Sequence, residues 1–202
     1  MSTQDTASPR RPPVKLKAAD MKTVLERAEL TPDAQRIAAG CADVPAALDA
    51  LIQASLVTDA ARLVAHALPK REAVWWACMC ARATETAPAP ADAEALAAAE
   101  AWVRKPEEPN RRQAMAKAEA AGFRTPEAWA AIGAFWSGGS MAPEGQPVVP
   151  PGDHLTGLAV AGAVSLAAVR KHPEKADATL RVFLTSALDI AGGGAGRIAP
   201  VA

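Results

Sequence analysis

The amino-acid sequence predicts an all-α protein, an irregular bundle of about nine helices with no significant sheet. Alanine supplies 51 of the 202 residues and has the highest helix propensity of the amino acids. Aromatic residues, on which sheet proteins depend, make up only 4% of the chain, and tyrosine is absent. Proline and glycine separate apolar stretches that have helical spacing. A short α-solenoid is the alternative architecture, although no residue pattern recurs at a fixed period.

Charge, cysteine content and hydropathy restrict the class of protein further. The 22 basic and 22 acidic residues cancel, which argues against a polycationic nucleic-acid-binding protein. Three cysteines form no even disulfide framework and are typical of reduced thiols in the cytoplasm. The longest apolar stretch, residues 155–169, is shorter than the roughly 20 residues of a membrane span. We therefore expect a cytoplasmic protein with no membrane span and no nucleic-acid partner.

The first third of the chain is predicted to contain a tail and four short helices. Residues 1–17 are expected to be a disordered basic tail, because Pro9, Pro12 and Pro13 block helix formation. Residues 18–30 have the apolar spacing of an amphipathic helix. Three further helices are expected at residues 31–40, 44–54 and 57–68, with threonine, proline and glycine signals at their ends.

The helix that begins at Pro69 is predicted to lie at the centre of the bundle. It is apolar on all sides between Glu72 and Arg82, which is typical of a helix surrounded by other helices. Trp75 and Trp76 point about 100° apart and so can anchor two different neighbours. Cys78 is expected to be a small buried residue beside them. Cys78 and Cys80 point about 200° apart on a helix, so they predict no metal site.

The rest of the chain continues the same single domain, predicted over residues 18–191. Residues 84–91 contain two prolines and no bulky apolar side chain, and are expected to form an internal linker. A flexible glycine-rich tail is expected over residues 192–202. The remaining helices are predicted at residues 92–104, 109–121, 125–136, 155–169 and 173–190.

A long loop over residues 137–152 is the candidate functional element. Loops of this length are uncommon in compact domains and are usually functional or disordered. A flexible turn, an anion-binding nest and a shaped protein-binding loop are all compatible with its glycines. We expect Arg71, Glu72 and Arg82 to hold the loop through charged hydrogen bonds. The candidate partner-binding residues are Trp136, Ser137, Gly138, Gly139, Ser140, Met141, Pro150, Pro151 and His154.

Catalytic and cofactor motifs are missing from the sequence. None of the three histidines has a second potential metal ligand at helical spacing, and Ser140 does not stand in a nucleophile elbow. Arg111, Arg112 and Lys117 form a small basic cluster, but its neighbours Glu107, Glu108 and Glu119 argue against a nucleic-acid-binding surface. We therefore predict no catalytic residue, no metal and no cofactor. The alternative is an enzyme or small-ligand binder with a site between the Trp75–Trp76 helix and the loop, using Cys78 or Cys80, His154 and Ser140.

Several segments resemble one protein family. They are residues 68–82, which contain Trp-Trp-Ala-Cys-Met-Cys-Ala-Arg, together with residues 134–140, 149–151 and 160–164. Over roughly residues 60–172 the chain resembles an alanine-rich bacterial family of unknown function that is associated with type VI secretion gene clusters. The resemblance carries no catalytic residues. It implies an interaction protein, an adaptor or chaperone-like accessory of a secretion system or of its effector, with a protein as its partner.

Overall fold

The computed structural model describes residues 12–85 and 87–201, and in this part of the chain it confirms the all-α prediction. Eleven α-helices and one short 3-10 turn, Pro173–Lys175, occur there, and no strand. None of these helices has the length and apolar character needed to cross a membrane. The helices are α1 (Val14–Lys17), α2 (Met21–Arg27), α3 (Pro32–Ala39), α4 (Val44–Gln53), α5 (Val57–Ala67), α6 (Lys70–Thr84), α7 (Pro90–Arg104), α8 (Glu108–Ala120), α9 (Pro126–Phe135), α10 (Leu155–Val169) and α11 (Ala176–Ala191).

The N-terminal region differs from the prediction in two places. The predicted tail over residues 1–17 reaches too far, because Val14–Lys17 is one helical turn and the Leu16 side chain is fully buried in the core. Residues 1–11 of that tail lie outside the described residues. The single helix predicted over residues 18–30 begins only at Met21, where the Asp20 carboxylate accepts a hydrogen bond from the Thr23 backbone N–H. The Thr23 N–H lies in the first turn of α2 and has no acceptor within the helix, so this N-cap satisfies it and fixes the start of α2.

Helix α6 occupies the centre, as its all-round apolar character predicts. It packs against α5, α7, α9, α10 and α11. Trp76 and Cys78 are fully buried, and the indole N–H of Trp76 donates a 2.8 Å hydrogen bond to the backbone carbonyl of Phe183 in α11. Trp75 is only half-buried and packs against the core, so it is less enclosed than its neighbour Trp76.

The bundle is closed by contacts between helices that are far apart in sequence. Helix α6 packs on α9 and α10, and α5 packs on α10 and α11, so both make contacts across the predicted linker, which falls between the end of α6 at Thr84 and the start of α7 at Pro90. In a solenoid each repeat contacts mainly its neighbours in the chain. These long-range contacts therefore favour the irregular bundle over the solenoid.

The segment after α11 is bound to the bundle, which corrects the prediction of a flexible tail over residues 192–202. The backbone N–H of Val201 donates to the carbonyl of Ala83 over 2.8 Å, and the Ser186 hydroxyl donates to the carbonyl of Gly196 over 2.6 Å. The Asp189 carboxylate accepts from the Gly196 N–H at 2.8 Å. These bonds connect the segment to α6 and α11 and hold it in place; Ala202 lies outside the described residues.

Candidate functional site

The loop over residues 137–152 has a defined internal structure. The Met141 N–H donates a 2.8 Å hydrogen bond to the Val149 carbonyl, and this bond closes the loop on itself. The Ser140 hydroxyl oxygen accepts two backbone N–H groups, from Ala142 at 3.1 Å and from Val149 at 3.0 Å. Because these bonds join the two ends of the loop, the predicted flexible turn is instead an ordered loop.

Arg111 of α8 fixes this loop to the helix bundle through hydrogen bonds to the inner side of the loop. Its side chain is only 4% exposed, and its Nη2 and Nη1 groups donate to the carbonyls of Ser140 at 2.7 Å and Phe135 at 2.6 Å. Its guanidinium group lies 4.5 Å from the centre of the Phe135 ring, within the range of a cation–π contact. Glu108 binds the same guanidinium through both carboxylate oxygens, at 2.6 and 2.7 Å. These hydrogen bonds lower the pKa of Glu108 and keep the pair charged.

Gly139 is the loop residue that lies directly on this guanidinium. Its φ is +66°, a conformation that residues with a side chain rarely adopt. A Cβ at this position would lie 2.8 Å from Nε of Arg111 and 2.9 Å from the Glu108 carboxylate. Glycine is therefore required here for both the turn and the close approach.

Two more basic residues bind the loop at its start and its middle. Lys70, at the beginning of α6, donates from Nζ to the Ser137 carbonyl at 3.0 Å and lies 3.6 Å from the Asp153 carboxylate. Arg112 donates from Nη1 to the Ala142 carbonyl at 3.0 Å. The loop is thus held by three basic side chains from α6 and α8.

The outer surface of the loop is exposed and partly apolar. Val148 is 75% exposed and Val149 is 47% exposed, and Pro150 beside them is also exposed. The other predicted partner-binding residues divide into two groups. Gly139 and His154 are exposed, and Trp136, Ser137, Gly138, Ser140, Met141 and Pro151 are half-buried.

The residues predicted to support the loop make their contacts elsewhere. Arg71 donates from Nε to the Val103 carbonyl at 2.6 Å, and Glu72 accepts from Lys15 at 2.8 Å. Arg82 pairs with Glu100 through two hydrogen bonds of 2.5 and 2.8 Å, which raise the pKa of Arg82. Arg71 and Arg82 thus bind acceptors on α7, and Glu72 binds a donor on α1.

Sequence reasoning missed Arg111 and Arg112 as the residues that hold the loop, because it considered them only as a basic cluster that nucleic acid could bind. A signal was present in the pattern of α8. Arg111, Ala114 and Ala118 are buried at positions i, i+3 and i+7, so the arginine stands on the buried stripe of the helix. An arginine on such a stripe needs hydrogen-bond acceptors from elsewhere in the fold.

The residues of the predicted enzymatic alternative do not share an environment. Cys78 and Cys80 are fully buried, and burial raises the pKa of both thiols, which disfavours the nucleophilic thiolate. The Ser140 hydroxyl accepts two loop N–H groups, and His154 is exposed. The described residues include no cluster of three or more potential metal ligands.

Two surface grooves lie away from the loop. One, of about 380 Å³, lies beside Trp75, between α6, α7 and the segment after α11. The other lies along α9 and α10 and is lined by Trp129 and Gly162. The exposed side chains of Leu158 and Val169 also line it.

Fold and site together define an all-helical protein that displays an ordered loop fixed by a buried arginine. The chain belongs to a family of unknown function, DUF6931, whose model matches residues 47–191. The match extends from α4 to the end of α11 and so includes the loop and Arg111. It confirms the resemblance to a family of unknown function. No curated protein and no solved structure matches the chain.

Proposed function

We propose that this chain is a non-enzymatic helical interaction protein that binds a protein partner through the loop over residues 137–152. The observation that carries the proposal is the contrast between the two sides of the loop. Its inner side is held by the buried guanidinium of Arg111, and its outer side exposes Val148 and Val149.

The rigidity of the loop supports a role in binding. Binding a flexible segment costs conformational entropy, and a segment that is already ordered avoids much of this cost. Ser140 and Arg111 order the backbone through hydrogen bonds, and four prolines at positions 143, 147, 150 and 151 restrict it further. Exposed apolar side chains on an ordered loop are typical of a contact surface for another protein.

The resemblance to a family associated with type VI secretion genes gives the proposal a more specific form. The chain would then be a cytoplasmic adaptor or chaperone-like accessory of that secretion system or of its effector. This role needs no cofactor, no metal and no nucleic acid. It is consistent with the many charged residues that cover the outer surfaces of the helices and with the balanced charge of the chain.

The alternative, an enzyme or ligand binder between α6 and the loop, has less support. Its cysteines are buried and its serine hydroxyl stabilises the loop. The described residues that line the groove beside Trp75 come from α1, α6, α7, α11 and the segment after α11, rather than from the loop.

Affinity capture from the native bacterium with two matched variants tests the proposal. Val148→Asp places a charge on the outer side of the loop, where the side chain is 75% exposed, so folding is unaffected. Val182→Asp, on α11, is the control, because Val182 is 47% exposed and far from the loop in sequence. We expect the V148D variant to lose a partner that the wild type and V182D recover, as identified by mass spectrometry. Equal recovery of every partner by V148D and V182D would refute the role of the loop.

A further inference from the structure

The groove beside Trp75 carries an excess of positive charge. Three basic side chains line it, those of Lys15, Arg71 and Arg104, and the one acidic residue among its described lining residues is Glu72. Lys15 and Glu72 form an ion pair of 2.8 Å and neutralise each other. Two guanidinium groups therefore remain to attract an anion.

Both arginines have donor groups to spare. Arg71 is held by the hydrogen bond from its Nε to the Val103 carbonyl at 2.6 Å, which leaves the two terminal nitrogens of its guanidinium group for another acceptor. Arg104 lies 3.9 Å from the nearest Glu100 oxygen, and Glu100 is already bound twice by Arg82. The Arg104 side chain is 67% exposed at the mouth of the groove. A carboxylate or another oxyanion is the group that two such guanidinium donors recognise best.

A half-buried aromatic ring forms part of the wall. The Trp75 indole N–H donates to the Ala195 carbonyl at 2.9 Å, which fixes the ring in place. Val103 and Ile190, both of them buried, also line the groove. A fixed indole next to aliphatic side chains favours a flat apolar ligand body, because stacking buries area on both partners.

The segment after α11 completes the groove. Gly194 lines it, and the Gly194 N–H donates to the Asp189 carbonyl over 2.8 Å as the chain turns back toward Trp75. A Cβ at Gly194 would lie 2.1 Å from Oδ1 of Asp189, so a larger residue would displace the carboxylate that holds the Gly196 N–H. The same turn positions the Ala195 carbonyl that holds the Trp75 ring.

We propose that this groove is a binding site for a small aromatic anion. The anionic group binds Arg71 and Arg104, and the flat ring system packs against Trp75, Val103 and Ile190. The site is separate from the loop, so it stands or falls independently of the proposed interaction surface.

Fluorescence titration with 8-anilinonaphthalene-1-sulfonate, an aromatic anion, tests the assignment on the full chain. N-phenyl-1-naphthylamine, which has the same rings without the sulfonate, is the matched neutral probe. Arg104→Gln is the main variant, since this exposed side chain has no structural hydrogen bond among those described. Arg62→Gln is the control, because Arg62 lines the other groove, beside Leu158.

We expect the anionic probe to bind the wild type about ten times more tightly than the neutral probe. We also expect R104Q and R71Q each to weaken the anionic probe by about tenfold, from the loss of one charge-assisted hydrogen bond, without affecting the neutral probe. R62Q should bind both probes like the wild type. Three results would overturn the assignment: equal affinity for both probes, unchanged binding by the R71Q/R104Q double variant, or a loss in R62Q alone. Circular dichroism of each variant excludes probe binding to unfolded chain.

Discussion

Replacing Arg111 with methionine is expected to free the loop over residues 137–152 and to destabilise the whole bundle. Methionine keeps most of the apolar volume of the side chain and removes all of its donors. The carbonyls of Phe135 and Ser140 then lose their donors, and Glu108 loses both of its short bonds to the guanidinium. Hydrogen bonds to charged groups contribute about 1.5–3 kcal/mol each, and two backbone carbonyls lose one here. Glu108 is 47% exposed and keeps its contact with Arg112, so its lost bonds add little.

We therefore expect the R111M variant to lose about 3–5 kcal/mol of unfolding free energy. This is a large fraction of the roughly 5–15 kcal/mol that keeps a typical domain folded. Arg111→Lys should be nearly as destabilising, because one ammonium group cannot bond Glu108, Phe135 and Ser140 with the geometry of a planar guanidinium. Arg112→Gln, which removes a more exposed arginine with one carbonyl bond to the loop, should cost about 1 kcal/mol or less.

Urea unfolding followed by circular dichroism measures the global effect, and amide hydrogen exchange measures the local one. In the wild type the N–H groups of Met141 and Val149 are hydrogen-bonded within the loop and should exchange slowly. In R111M they should exchange much faster, even at urea concentrations where the helices stay folded. A loss of unfolding free energy below 1 kcal/mol, together with unchanged exchange at these two amides, would refute the role of Arg111 in fixing the loop.

Three other predictions concern His66, Glu127 and the three cysteines. Burial lowers the pKa of His66 to about 4, so the unfolded chain binds a proton more readily than the folded one. The free energy of unfolding should therefore fall by about 1–2 kcal/mol as the pH is lowered from 6.5 to 4. A His66→Asn variant whose unfolding free energy has the same pH dependence would contradict this. Glu127→Gln breaks the ion pair between the fully buried Glu127 and the mostly buried Arg170 and should cost about 3 kcal/mol in urea unfolding, and a loss under 1 kcal/mol would count against it. A thiol reagent should label Cys41 in the native protein and reach Cys78 and Cys80 only after unfolding, and native labelling of three thiols would show that the core opens.

Much of the secondary structure was predictable because its signals are local. Thr31 and Thr125 both cap helices that start with proline, and in each case the threonine side chain accepts a backbone N–H of the first turn. The all-round apolar pattern of α6 correctly placed this helix at the centre, since such a helix has no face suited to water. Boundaries were less predictable: the α1–α2 break depends on the single N-cap at Asp20.

The position of the loop in the chain was predicted, but the side chains that hold it were not. A long proline-rich loop between two apolar helices is visible in the sequence, and the structure places it where expected. Arg71, Glu72 and Arg82 were predicted to hold the loop. They instead bind Val103, Lys15 and Glu100, respectively. Charged residues give no indication in the sequence of which acceptor they will reach, because many acceptors lie at similar distances along the chain.

The sequence by itself determined the helical class, the central helix and the location of the loop, because helix propensity, capping and apolar spacing act over a few residues. Only the tertiary structure decided that Arg111 fixes the loop and that the segment after α11 closes a groove beside Trp75. The acceptors of Arg111 stand 24 and 29 residues away, and the acceptor of the Trp75 indole stands 120 residues away. Contacts at such separations depend on how the helices pack, and packing is a property of the whole chain.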